Sequence, residues 1–406
     1  MNSFTIRFRA LLPMTNSKPL ENGQLIIDKG RIQKISSDFS DPIEGELIDL
    51  SDHLILPGFV NAHCHLSLSA LKGQIPQSVS FVDWIRSVVE KNELMSWENR
   101  VLALHAQAKV MVRSGVTALV DYIPEKKFIT EYSSLPFRKT LFLEVIGFLS
   151  SLVKPIVENL EITLKKNINE RGMSKIGLAP HAPYSVSPQL FSELKRLADK
   201  YKCPLSCHVA EFPEELQFLQ DGSGDLKDLL KERAVYDSDW SPPALSPACY
   251  LDSMGLLDSL VAIHLNLAEA DIGLLKSKKV KAVFCPQSTL WFRRKKYMPV
   301  RDLLDLGVVV GLGTDSLASS KSLNFLEEIR VAEEMLVDVS REELLRMATR
   351  GGAETVGMNC GVIEKGRAAD IIGFRLKGEY DDWYSVPFES KRDNADFVMI
   401  DGEKLF

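Results

Sequence analysis

Cysteine is scarce in this chain, and no two of its six thiols are spaced Cys-x-x-Cys. That spacing excludes a thiolate zinc ribbon and a thioredoxin-like redox pair. A chain of 406 residues buries enough apolar surface to do without disulfide staples, so Cys64, Cys203, Cys207, Cys249, Cys285 and Cys360 read as reduced thiols of a cytoplasmic protein. Basic runs are equally short. Arg293-Arg294-Lys295-Lys296 is the longest, and 49 basic against 55 acidic side chains leave a formal charge of −6. Such a balance lacks the phosphate-neutralising surface of a nucleic-acid binder, and the tetrad itself reads as a solvated loop or helix start. No uninterrupted apolar run approaches membrane-spanning length, and Met1 to Arg9 shows no apolar core followed by a small-residue cleavage site. The expectation is a soluble, unexported protein with a small-molecule substrate and no nucleic-acid or membrane partner; a homo-oligomer is left open.

What the sequence does contain is a change of rhythm at Pro57-Gly58. Before it come short alternating segments such as Gln24 to Asp28 and Arg31 to Ile35, parted by Lys29-Gly30, which is hairpin patterning. After it, apolar strand, loop and amphipathic helix recur about eight times, the rhythm of an α/β fold of the (β/α)8 TIM-barrel type. Strands are expected to end near His65, Asp121, Glu144, His181, His208, His264, Cys285 and Asp315. Ser96, Ser187-Pro188 and a Ser340/Glu343 capping box open helices, and Gly351-Gly352 is read as closing the last of these. From Gly361 the β pattern returns. The organisation predicted is a small β-sandwich domain built from both chain ends, residues 1–56 together with 361–406, beside a catalytic barrel of residues 57–360. The stretch Asp221 to Asp258 is too long for an ordinary barrel connection and is a lid candidate.

In such a barrel the carboxyl ends of the strands converge on one face, so residues distant in sequence meet there. Strand one finishes His63-Cys64-His65, whose two imidazoles share a side by the period of two. Strand five finishes with His208 and, three residues on, Glu211; strand six ends at His264; strand eight runs out through Gly313-Thr314-Asp315-Ser316. Five of the seven histidines, His181 included, fall at predicted strand ends, whereas unselected histidines would scatter over surface and helices. His105 in mid-helix and His53 in the β segment do not belong to the set.

These residues carry a resemblance. Pro57-Gly58-Phe59-Val60-Asn61-Ala62-His63-Cys64-His65, His208-Val209-Ala210-Glu211, His264 and Gly313-Thr314-Asp315-Ser316 together resemble the motifs of the metal-dependent amidohydrolase superfamily over essentially the whole chain. The resemblance implies that His63, His65, His208 and Asp315 bind the metal while Glu211 and His264 handle protons. Three neutral imidazoles and a carboxylate suit zinc first and ferrous iron second, and a cation so held lowers the pKa of a water toward ~7. Glu211 could then pass the proton of that water to a substrate nitrogen, and Asp315 could deliver the remaining proton to the leaving group. Binuclear members use a bridging lysine at the end of strand four. Here Lys175 opens that strand, so one divalent metal is expected, as in aminohydrolases of nucleobases and nucleosides.

His181 in Pro180-His181-Ala182-Pro183 resembles the substrate-contacting histidine of purine and adenosyl-compound deaminases, and Trp84 and Ser319 are further substrate-binding candidates by position. Shorter strings, among them Phe81 to Trp84, Glu144-Val145-Ile146-Gly147 and Ser246 to Asp252, resemble the 6-aminodeoxyfutalosine deaminases of menaquinone biosynthesis. Ser67 stands where that group carries Glu, and Thr289 where it carries Asn. The expected function is hydrolytic release of ammonia from C6 of an adenine-type nucleoside, with 6-aminodeoxyfutalosine first and adenosyl compounds next. Rivals are triazine chlorohydrolases or aminohydrolases, guanine or pterin deaminases, and a non-catalytic scaffold on the same fold. A cytidine-deaminase-type zinc site is set aside because its H-x-E and P-C-x-x-C pair is missing.

Overall fold

The computed structural model describes residues 3–77, 80–167 and 174–406; Met1 and Asn2, part of the N-terminal stretch read above, lie outside the described residues. The chain opens with β1 Phe4–Leu11, β2 Leu20–Asp28, β3 Arg31–Ser36 and β4 Glu46–Pro57. Lys29 and Gly30 both take positive φ, 50° and 73°, as a tight right-twisted hairpin between β2 and β3 requires.

Eight strands then follow: β5 Phe59–Cys64, β6 Val116–Ile123, β7 Arg138–Val145, β8 Ser174–Pro180, β9 Leu205–Val209, β10 Leu260–His264, β11 Lys281–Phe284 and β12 Val309–Leu312. They lie side by side in sequence order and every pair is parallel, so each strand is covered on both faces and reads as a nearly unbroken apolar run. β12 returns to β5 just above its last residue, where the Asp315 N–H donates to the His63 carbonyl at 3.2 Å. Glycine is demanded at that seam: a Cβ on Gly313 would stand 2.8 Å from both the Cβ and the carbonyl oxygen of His63. Strand ends fall within a few residues of those expected.

Helices begin where the sequence capped them. The hydroxyls of Ser96, Ser187 and Ser340 accept from the N–H groups of Asn99, Leu190 and Glu343, and Glu343 completes the capping box. The Gly351-Gly352 reading needs correction. After Arg341–Arg346 the chain passes through a π-helical turn, Met347–Gly351, and continues helical over Gly352–Val356 to Gly357. Those glycines serve close packing, since a Cβ on Gly351 would meet the Val310 carbonyl at 2.2 Å and one on Gly352 would meet Val60 at 2.9 Å.

The chain ends with β13 Ile371–Arg375, β14 Phe397–Ile400 and β15 Glu403–Lys404, which join the opening strands in one mixed sheet of order β15-β14-β13-β4-β1-β2-β3. The sandwich predicted from the two ends is realised as this single sheet curled on itself. β4 is long enough to pair β1 on one side and β13 on the other, and β3 with its turn meets the segment entering β13 through Ile32 N–H to Arg367 O at 3.0 Å and Ala369 N–H to Gly30 O at 2.9 Å. Phe8, Ile27, Ile55, Ile371 and Phe397 fill the interior. This unit docks against the amino-terminal ends of the barrel strands, where Arg138 at the start of β7 donates to Asp370 at 2.8 Å and to Asp401 at 2.8 Å.

All six cysteines are free thiols, and among the described residues no helix is long and apolar enough to cross a membrane.

Candidate active site

At the carboxyl end of the barrel, period-two geometry turns His63 and His65 into the mouth together. His208 enters from β9 and Asp315 from just past β12. The Nε2 atoms of His65 and His208 stand 3.4 Å apart, and Asp315 Oδ1 lies 3.7 Å from His63 Nε2 and 3.8 Å from His65 Nε2. Donor atoms of His63, His65 and Asp315 sit within 4.8 Å of one another, as do those of His63, His208 and His264. His264 and Asp315 hold left-handed backbone at φ 73° and 56°, strain of the kind that clusters where a site overrides local preference.

A divalent cation fits this donor set. Both ring nitrogens of His63 are buried without a hydrogen-bond partner. His208 donates its Nδ1–H to the His181 carbonyl at 2.9 Å, which leaves Nε2 as its lone-pair atom facing His65. Burial pushes His63 down to about 4 and holds His65 and His264 well below the ordinary imidazole range, so these rings are neutral and free to ligate. Converging lone pairs without protons are costly in a dry interior, and a cation relieves them.

Glu211 stands beside this group, its Oε1 3.3 Å from His264 Nε2. Burial raises its pKa to about 7 against the pull of Arg294. Its backbone N–H donates to Glu215 at 2.9 Å, and Glu215, itself raised to about 8 by burial, anchors the turn that carries Glu211. Above the donors opens a cavity of about 480 Å³. Its floor is His65, His181, His208, Glu211, His264 and Asp315, and its walls are mostly apolar. One wall is the helix Phe81–Leu94, with Trp84, Ile85 and Val88; the facing wall, Leu226, Leu229, Leu230 and Val235, comes from the long stretch read as a lid candidate. That stretch therefore walls the cavity.

His181 and Trp84 face the cavity as expected, with His181 Nδ1 paired to Ser185 Oγ at 2.7 Å and Trp84 Nε1–H donating to the Ala318 carbonyl at 2.9 Å. Ser319 does not. Its buried hydroxyl donates to Asp315 Oδ2 at 2.8 Å, and the residue is not part of the cavity lining. Ser288 donates to the same oxygen at 2.7 Å, a contact the sequence reading missed. The Arg293 to Lys296 tetrad also needs correction: Arg294 turns inward, only 8% exposed, and pairs with Glu211. Glu144 was seen as a strand end without a role, yet its Oε1 lies 3.9 Å from His65 Nδ1 and has no hydrogen-bond partner. Lys175 donates to the Gly357 carbonyl at 3.1 Å from the opposite end of β8, far from a bridging position. His105 and His53 stay outside the site, beside Glu131 and Asp52 respectively.

A parallel eight-stranded barrel that brings imidazoles and carboxylates together at its strand ends defines a barrel hydrolase with a donor set for a divalent metal. The chain belongs to the amidohydrolase family, whose model matches residues 54–405. It is 28% identical to the 5-methylthioadenosine/S-adenosylhomocysteine deaminase of Pyrococcus furiosus, over 94% of this chain and 91% of that protein. Its fold is similar to that of the aminofutalosine deaminase of Helicobacter pylori, solved in complex with methylthio-coformycin (TM-score 0.85, 23% identity, 99% of this chain and 100% of that one). It is also similar to atrazine chlorohydrolase from Arthrobacter aurescens TC1, solved with zinc (TM-score 0.83, 24% identity, 99% of this chain and 95% of that one).

Proposed function

We propose that this protein is a metal-dependent hydrolytic deaminase that releases ammonia from C6 of an adenine-type nucleoside, 6-aminodeoxyfutalosine first and adenosyl compounds next. The observation that carries the reading is the Glu211–His264 pair, 3.3 Å apart, set beside the histidine and aspartate donors on the floor of one cavity. A proton-transfer pair next to a cation-binding group is what addition of water to an amidine carbon needs. A volume of about 480 Å³ accommodates a nucleoside, and the deaminase name of the Pyrococcus relative supports the class.

Zinc, or ferrous iron second, would be held by His63, His65, His208 and Asp315, and when bound it makes a water acidic enough to serve as nucleophile near pH ~7. Glu211 takes a proton from the attacking water and hands it to a ring nitrogen of the base. His264 steadies the attacking oxygen from the other side of Glu211. Asp315 takes the second proton and delivers it to the amino group, which leaves as ammonia. Water enters, ammonia departs, and the C–N bond is exchanged for a carbonyl with no change of oxidation state. Trp84 has spent its N–H on Ala318 and offers the substrate its ring face. His181, with Nδ1 engaged by Ser185, offers Nε2.

The test is ammonia release by metal-analysed protein across 6-aminodeoxyfutalosine, 5′-methylthioadenosine, S-adenosylhomocysteine, adenosine, adenine and guanine, with atrazine as outgroup. One strong aminopurine nucleoside is the expected result. Chloride release from atrazine with no aminopurine turnover would instead select the halogen-displacing reading, which the fold likeness to the chlorohydrolase keeps in play. Protein that takes up no metal and turns over nothing would return it to the scaffold class.

A further inference from the structure

Arg294 is the one member of its basic tetrad that the fold takes inside. Arg293, Lys295 and Lys296 are exposed, while the Arg294 side chain is 8% exposed. Its guanidinium carbon lies 3.9 Å from the Phe212 ring centroid and 4.8 Å from that of Phe292, so aromatic faces strip it of water. A guanidinium so placed must be paired, and the pairing is directed at one residue twice. One terminal nitrogen donates to Glu211 Oε1 at 2.8 Å and the other to the Glu211 backbone carbonyl at 3.1 Å. The fork therefore fixes the carboxylate and the peptide that carries it together, a geometry a planar guanidinium reaches and a lysine ammonium does not.

We infer that Arg294 is a positioning residue that clamps Glu211 and decides which of its two oxygens carries the proton. Oε1 is committed to Arg294, whose terminal nitrogen donates to it at 2.8 Å. Oε2 is left as the oxygen that accepts the proton of the attacking water and presents it to the base. The inference rests on the proton-transfer role proposed for Glu211, and Arg294 acts only through it, for it lines no part of the cavity. Loss of the clamp frees the Glu211 side chain to turn, and a carboxylate displaced by about 1 Å from its working position costs on the order of 100-fold in turnover.

The experiment uses the metal-loaded full chain and the aminopurine nucleoside that the panel above shows to be turned over. R294A is expected to lower kcat ~100-fold while KM stays within about threefold, with bound metal per chain unchanged. Guanidinium ion at tens of millimolar, well below denaturing concentrations, is expected to restore roughly tenfold or more of the lost turnover in R294A by refilling the space between the rings, and urea is expected to restore none. R294K, which keeps the charge without the fork, should fall between the two, and R293A, a change at an exposed neighbour, should leave turnover as it is. Turnover of R294A close to wild type overturns the clamp. A slow R294A that guanidinium ion leaves slow, with a lowered Tm, assigns Arg294 to packing alone and overturns it too. E211Q separates the two readings: normal turnover in E211Q removes the proton-transfer role itself and with it the clamp, whereas a slow E211Q beside a normal R294A removes only the clamp.

Discussion

At the amino-terminal end of the barrel, Arg138 meets Asp370 and Asp401 at 2.8 Å each, and Asp370 further accepts the Asp401 N–H at 2.7 Å, so the buried charges there are matched donor to acceptor. At the carboxyl-terminal end, His63 keeps both ring nitrogens without a partner, His264 keeps Nδ1, and Glu144 keeps Oε1. The same strands run between the two ends, so the contrast does not come from the scaffold. Buried polar atoms without a partner occur elsewhere in the fold as well, Thr117 and Thr140 among them, but those of His63, His264 and Glu144 belong to groups whose donor atoms converge.

The contrast can be broken experimentally, and the largest effect is expected from Asp315→Ala. Removing the carboxylate from the donor set should abolish turnover and metal retention together, and added zinc, which should raise the Tm of the wild type, should no longer do so. A fully loaded, active variant would take Asp315 out of the site. Next comes Glu211→Gln, expected to keep its metal and lose ~10² to 10⁴ in kcat, read by ammonia release alongside metal analysis. Smaller again is the double change Ser288→Ala with Ser319→Ala, which strips two hydroxyls from Asp315 Oδ2. Weaker metal affinity by about 10- to 100-fold in a chelator competition is the expected outcome, since partners of this kind orient a ligand. Arg138→Met sharpens the comparison from the other end. It leaves Asp370 buried without its cation and should cost about 3–5 kcal/mol in a urea titration while kcat in the cold stays that of the wild type. If Arg138→Met slowed the folded enzyme, the two ends would not be independent.

Much of the candidate site is legible in the sequence. Strand ends could be read because apolar runs stop where the barrel meets solvent, and a histidine at such a stop has few structural reasons to be there; hence His63, His65, His181, His208 and His264 were placed together. What escaped the sequence were residues whose role depends on which way a side chain turns. Four consecutive basic residues give no sign that Arg294 alone folds back onto Phe212 and Glu211. The pairing of Ser319 with Asp315 is not legible either, because a hydroxyl four residues past Asp315 can face either the cavity or the carboxylate. Gly351-Gly352 was misread for a related reason: glycine at a helix end and glycine under a packed strand look the same in one dimension.

The curled sheet has a consequence for how the molecule comes into being. Its strand β4 pairs residue by residue with β13, Pro57 with Ile371 and Leu56 with Ile372, although some three hundred residues are made between them. On a ribosome the strands β1 to β4 emerge before their partner, with an apolar face and an open edge, and they keep both until β13 has appeared. Long-range closure of this kind is slow. The unit that looks like an accessory to the barrel is thus the clasp of the whole fold, and truncation of the final forty residues should strand its first half rather than merely shorten it.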